Sequence, residues 1–256
     1  MDRIDKRIIV ELFKGNDSLQ YLSKILNISP QAVHYRLKNL EKQGIIKGFK
    51  IYVNPNLLGY LHSFIVIKGY DNGYEFPFIA SKFSCIEGYT IYEVIGKNVV
   101  ELEENERKIL SITRGEKYME IRINDSIRDN PIDRRIISYI RDDPTVTLNE
   151  LATKLNLSIR KISSKIKKLY SSGLIKKIPA IDLQKSNILM FSVFSDDKMN
   201  EFDDLKILKF SDVNKTLLIG VTENYTSIIK RVRNALEENK KFALSIKYDY
   251  YIYEIE

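Results

Sequence analysis

The chain has 256 residues, 44% of them hydrophobic and 29% charged, which is ordinary for a globular protein and long enough for two modest domains or several small ones. One cysteine, Cys85, excludes a disulfide framework and a thiolate-rich metal site, and two histidines, His34 and His62, argue against a histidine-built centre. The net charge of +7 suits a polyanion partner, while the charged N-terminus and the lack of any run near the ~18 apolar residues of a membrane helix point to a cytoplasmic protein without a membrane partner.

Residues 1–50 carry ten Lys and Arg against five Asp and Glu, and their spacing predicts three short helices. Ile4, Ile8 and Leu12 share one helical face. A second helix starts near Ser18. The third is announced by Ser29 as N-cap and Pro30 at the first helical position, where its missing N–H costs nothing. Val33, Leu37 and Leu40 form its core stripe, and Gly44 stops it. A short β-ribbon carrying Lys47 and Lys50 is expected next. Three helices and a ribbon make a winged helix-turn-helix. At about 100° per residue, the third helix turns Gln31, Tyr35 and Lys38 outward, with His34 at the border. Arg36 completes the DNA-facing candidates on this helix.

Residues 51–130 are mildly acidic, with nine basic against twelve acidic side chains. A strand is expected over 61–70, a short helix around 74–83, strands at 89–95 and 98–102, a helical segment over 104–113 and a strand over 117–123. That order is βαββαβ, the ferredoxin-like plan. His62, at the start of an apolar strand, reads as a structural or interface residue, and Cys85 as a small core residue.

Residues 131–180 return to eleven basic against four acidic side chains, and they repeat the first block. Asp5-Lys6-Arg7-Ile8-Ile9 returns as Asp133-Arg134-Arg135-Ile136-Ile137. Leu22 to Ser29 returns as Leu151 to Ser158, and Gly44-Ile45-Ile46-Lys47 as Gly173-Leu174-Ile175-Lys176. Thr147 and Glu150 form a capping-box pattern. The third helix of this copy buries Ile162, Ile166 and Leu169 and exposes Arg160, Ser164 and Lys167, with Ser163 at the border and Lys161, Lys165 and Lys168 on the flanks. Its ribbon carries Lys176 and Lys177. Long or hydroxylic donors of this kind bond phosphates and base edges in a major groove. One charged helix face is most often merely solvated. The same face found twice, each time after the same turn, favours double-stranded DNA. His34 has no second ligand at metal spacing on its helix.

Residues 181–256 hold eleven basic against thirteen acidic side chains and repeat the βαββαβ order. Strand 188–194 precedes a short helix near 198–205, strands 207–210 and 216–221, a helix over 225–238 and a Tyr- and Ile-rich strand over 242–253. The fold class is therefore α+β: winged helix-turn-helix units at 1–53 and 131–183 alternate with ferredoxin-like units at 54–130 and 184–256. Glycine-rich phosphate loops and nucleophile elbows are absent, and no catalytic residue, metal or cofactor is expected.

Asp5-x-x-Ile8 followed by the run from Leu22 to Gly48 closely resembles the Lrp/AsnC (feast/famine) family, and Asn54-Pro55-Asn56-Leu57-Leu58-Gly59-Tyr60 resembles the hinge before that family's sensing domain. The resemblance implies DNA binding, transcriptional regulation and a ferredoxin-like domain for sensing and oligomerisation, here duplicated so that one chain forms a pseudo-dimer with its two acidic units packed sheet to sheet. Further self-association through the last strand is a second expectation. Where the family shows Gly-x-x-Asp, this chain has Gly96-Lys97-Asn98-Val99 and lacks the Asp, so a small-molecule effector is the weakest of the expected partners. Siroheme decarboxylases resemble the same architecture. That alternative would make the chain a tetrapyrrole enzyme with a histidine as actor, and the two strongly basic third helices weigh against it.

Overall fold

The computed structural model describes residues 1–69, 73–123, 130–212 and 214–255. The first half runs α1 (Arg3–Phe13), α2 (Leu19–Leu26), α3 (Pro30–Lys42), β1 (Ile46–Val53), a 3-10 turn at Pro55–Leu58, β2 (Leu61–Lys68), β3 (Ile79–Cys85), β4 (Tyr89–Gly96), α4 (Val99–Thr113) and β5 (Glu116–Ile123). The second runs α5 (Pro131–Asp142), α6 (Leu148–Leu155), α7 (Ile159–Ser171), β6 (Ile175–Ile181), α8 (Leu183–Ser186), β7 (Leu189–Ser195), β8 (Lys206–Ser211), β9 (Thr216–Thr222), α9 (Tyr225–Glu237) and β10 (Phe242–Ile252). The chain is α+β.

The helix starts are set by local chemistry. Asp2 and Asp5 form a capping box at α1, and Thr147 and Glu150 form the expected one at α6. Ser29 and Ser158 cap α3 and α7, each accepting a backbone N–H from its third residue on. Caps of this kind are each worth about 0.5–2 kcal/mol.

Eight strands form one antiparallel sheet in the order β5-β2-β4-β3-β10-β7-β9-β8. Within each half the order is fourth, first, third, second strand, which is the ferredoxin-like arrangement. The expected helices over 74–83 and 198–205 do not form. Pro77 stands in the first span, where it breaks a helix, and Ile79–Cys85 becomes a fully buried strand instead. In both crossovers apolar side chains fill the room a helix would take. Phe76 meets Tyr92 edge-on at 5.9 Å, and buried Phe202 meets Phe191 at 5.9 Å. The strand expected over 98–102 is instead the first turn of α4. Asn98 caps it by accepting the Glu101 N–H at 2.9 Å. Gly96 ends β4 because the Leu102 nitrogen lies 2.5 Å from where a Cβ would sit. Tyr70 and the segment 124–129 before the expected unit boundary lie outside the described residues.

The two half-sheets face each other. Phe64 and Val66 of β2 point into a shared central core with Phe194, Phe210, Leu217 and Ile219 of the second half. Ile65 and Ile67 point the other way, onto Leu102 and Ile109 of α4, as the two-residue strand period requires. On the far side Phe191, Val193 and Leu218 meet Ile228 and Ala235 of α9. Phe64 and Phe210 stack at 4.1 Å between centroids, and burying each contributes about 1.5–3 kcal/mol.

Each helical triplet does not build its own ribbon. β1 and β6 pair with each other, antiparallel, with Lys50 opposite Ile178 and Val53 opposite Ile175. Ile8 and Ile9 of α1 share a core with Ile178 and Ile181 of β6, while Ile136, Ile137 and Ile140 of α5 share one with Ile51 and Val53 of β1. Each head thus packs on the strand that follows the other. The Tyr-rich last strand, expected at a self-association surface, lies inside the sheet between β3 and β7.

Candidate nucleic-acid interface

The turn between the second and third helix of each head is built the same way. Asn27 and Asn156 close α2 and α6 in the left-handed conformation, with φ of 54° and 52°, which asparagine tolerates better than most side chains. Ile28 N–H then bonds the Ser23 carbonyl at 3.2 Å, and Leu157 N–H that of Ala152 at 3.1 Å. One residue later Ser29 and Ser158 start helices of 13 residues each. Val33, Leu40, Ile162 and Leu169 are buried, and this fixes which face of each helix is left outside.

On α3 that face carries exposed Gln31, His34, Tyr35 and Lys38, with Tyr35 68% exposed. Lys38 pairs with Glu41 at 2.9 Å on the same helix. On α7 it carries exposed Arg160, Lys161, Ser164, Lys167 and Lys168, with Ser163 half-buried. Arg160, Lys161, Lys167 and Lys168 make no ion pair among the described residues. The second head therefore offers uncommitted positive charge, and the first a mixed polar and aromatic face.

Two helix candidates point elsewhere. Arg36 turns back toward α1 and bonds Asp2 and Asp5, each at 2.7 Å. The Asp5 and Asp2 carboxylates hold its guanidinium above the usual range, and the Asp5 amide with Arg36 keeps Asp2 below its own. Lys165 does the same in the second head, bonding Asp133 at 2.6 Å. These are equivalent positions of the repeat. The pair ties the first helix of each head to its recognition helix and leaves little charge for DNA. A basic residue and an aspartate recurring together in both copies were the sequence signal for this.

The ribbon lysines are likewise engaged with protein. Lys47 pairs with Asp182 at 3.2 Å and Lys50 with Glu254 at 3.6 Å, both remaining mostly exposed. Lys177 pairs with Asp17 at 2.9 Å and lies over the Phe49 ring. Lys176 donates to the Ile207 carbonyl of β8, and burial pushes its pKa down to about 8. Because the ribbon is shared between heads, its lysines face the sheet and the opposite head, and Lys176 and Lys177 are not free groove-facing cations.

His62 is fully buried. Its Nδ1 lies 2.8 Å from Glu93 Oε1 and its Nε2 3.1 Å from Asn56 Oδ1. Tyr52 and Ser81 donate to the same carboxylate at 2.8 and 2.6 Å. This closed cluster joins β1, β2, β3 and β4, and Glu93 was not among the residues singled out in the sequence. Among the described residues no group of three His, Cys, Asp or Glu could hold a metal ion, and no helix is long and apolar enough to cross a membrane.

A winged helix-turn-helix DNA-binding family profile matches the chain twice, over residues 1–47 and 129–176. The chain is 44% identical over 70 residues to the HTH-type transcriptional regulator FL11 of Pyrococcus furiosus, covering 27% of this chain and 46% of that one. It is 43% identical over 72 residues to the HTH-type transcriptional regulator LrpA of Pyrococcus abyssi, covering 28% and 50%. The chain thus spans about half the length of these curated relatives. Among solved structures, the siroheme decarboxylase NirDL overlays with a TM-score of 0.45 at 12% identity, covering 96% of this chain and 91% of that one. The chain thus carries two winged helix-turn-helix DNA-binding units, and the sequence of the matched region is similar to that of Lrp-type transcriptional regulators.

Proposed function

We propose that the chain is a sequence-specific double-stranded DNA-binding transcriptional regulator that acts in the cytoplasm and uses both heads. The observation that carries this is the pair of recognition helices. Each follows the same asparagine–serine turn and presents exposed donors, and α7 adds four cations with no ion pair among the described residues. The regulator names of the helix-turn-helix relatives support it. Amino-acid sensing forms no part of the reading.

The histidines favour a binding protein over a tetrapyrrole enzyme. His34 stands exposed on α3, and His62 is sealed behind Glu93 and Asn56. Neither lines the cavities of about 490 and 870 Å³.

The two heads divide the work. Gln31, Tyr35 and His34 offer donors, acceptors and a ring to base edges, while the cations of α7 suit phosphates, which position a protein without reading sequence. Mobility shifts on a selected and a scrambled duplex test this. With about 6–10 phosphates neutralised, affinity is expected to fall by about 10³–10⁵ between 50 and 200 mM salt. Gln31→Ala is expected to cost about 1–3 kcal/mol on the selected duplex only. A flat salt dependence, together with a Soret band in the purified protein, would replace this reading with the enzyme.

A further inference from the structure

The duplication creates the same sheet joint twice, and only one of the two is closed. β3 is the second strand of the first ferredoxin-like unit, as β8 is of the second; β10 is the fourth strand of the second unit, as β5 is of the first. β3 and β10 pair, from Lys247 opposite Cys85 to Ile252 opposite Ser81. β8 and β5 approach each other at the opposite ends of the strand order but form no ladder among the described residues. A side chain crosses that seam, where Lys215 donates to the Glu120 carbonyl at 3.1 Å.

The free strand β8 borders a cavity of about 870 Å³. Its other walls are the start of β6, the end of α1, Tyr52 of β1 and, from the second head, Tyr170 and Pro144. The size lies within the range of about 300–1,000 Å³ usual for small-molecule sites. Lys14, Lys176, Lys177, Lys206 and Lys209 line it, against one carboxylate, Asp17. Four of these lysines have acidic neighbours: Glu11 for Lys14 at 2.9 Å, Asp17 for Lys177 at 2.9 Å, and Asp203 for Lys206 and Lys209 at 3.6 and 2.8 Å. Lys176 has no carboxylate within ion-pair distance among the described residues. Its ammonium is met by the Ile207 carbonyl, and desolvation together with nearby Lys206 holds its pKa down to about 8. Burying an uncompensated ammonium beside a second one opposes folding, and an arriving anion relieves both costs. Ile175, Leu208 and Phe210 supply an apolar side.

We infer that this cavity binds a small polyanion, one whose phosphate or carboxylate groups meet Lys176 and Lys206 while an apolar or ring body lies along Leu208, Phe210 and Tyr52. The site does not depend on the DNA reading, because its lysines stand apart from the exposed faces of α3 and α7. Its walls come from both heads as well as the sheet, so an occupant touches all three.

Isothermal titration of the full chain tests it at low salt with pyrophosphate, magnesium-free ATP, citrate and benzene-1,3,5-tricarboxylate. At least one probe is expected to bind saturably, one per chain, and the stronger of the phosphate and carboxylate arms identifies the acid. Lys176→Gln with Lys206→Gln is expected to weaken that probe by about tenfold or more, while Lys167→Gln on the recognition helix leaves it within about twofold. Acetylation of Lys176, read by mass spectrometry on the unaltered chain, should slow when the probe is present. The inference is overturned if no probe binds and Lys176 is never protected. Loss of binding equally with Lys167→Gln, or protection of Lys176 by a DNA duplex instead of the small anions, would overturn it as well.

Discussion

At the scale of single residues, His62 and His34 show how environment separates two identical side chains. His62, Glu93, Tyr52 and Ser81 form a closed set with 0% exposure for the histidine and the glutamate. His62→Leu takes one partner from a buried carboxylate, a change that costs about 3–5 kcal/mol, while His34→Ala stays within about 0.5 kcal/mol. Urea unfolding of the two variants checks this, and similar midpoints would refute it. The sequence showed that His62 opens an apolar strand. It did not show the cluster, because Glu93 lies 31 residues away and only strand pairing brings it alongside. Lys176 gives a pH signature. Its pKa is about 8 when folded against an ordinary 10.5, so between those values the unfolded chain holds a proton that the folded chain has released. Stability therefore rises with pH across that window, by up to about 3 kcal/mol from this group. Below pH 8 the full desolvation cost is present. The stability difference between the unaltered chain and Lys176→Met is expected to move in favour of the former from pH 8 to 10.5, and a flat difference would show that the ammonium is not desolvated.

At the scale of elements, the heads were legible because every signal was local. Ser29 with Pro30, Thr147 with Glu150, and Gly44 each act within one turn of helix, and duplication printed the pattern twice. The sheet units were less legible. Pro77 is a local helix break, and it outweighs the general βαββαβ plan in its span. Val99 and Val100 looked like strand residues, yet Asn98 caps a helix through them and leaves both exposed. The shared ribbon is not legible in the sequence, since the pairing of β1 with β6 spans more than a hundred residues and turns Lys177 of one head onto Asp17 of the other. The tie between first and third helix separates two kinds of basic residue on the same face. Arg36→Gln is expected to lower stability by about 1 kcal/mol, discounted for its partial exposure, with the salt slope of DNA binding unchanged. Lys167→Ala is expected to leave stability alone and lower that slope by about one. Thermal unfolding alongside salt titration distinguishes them, and a reduced slope for Arg36→Gln would return it to the interface.

At the scale of the whole molecule, the halves are joined in three independent ways: the β3–β10 ladder, the β1–β6 ribbon, and the packing of each head on the other's strand. None of these contacts lies within one half, so neither half can lose its structure without exposing apolar surface of the other. Tyr250 sits where the joints meet. It meets Phe13 of α1 edge-on, its hydroxyl accepts the Ile181 N–H at 2.7 Å, and it donates to the Pro179 carbonyl. Burial shifts its hydroxyl well above the usual phenol range, so it remains a donor at any working pH. Tyr250→Phe keeps the ring and strands the Ile181 N–H, at a cost of about 1–3 kcal/mol. Were the halves independent, that loss would split melting into a lowered and an unchanged transition. Because they are interlocked, scanning calorimetry is expected to show one transition in both proteins, with calorimetric and van't Hoff enthalpies equal, moved down by about 2–4 °C per kcal/mol lost. Two transitions in the unaltered chain would mean that the joints are too weak to couple the two heads, and that each reaches DNA as a separate unit.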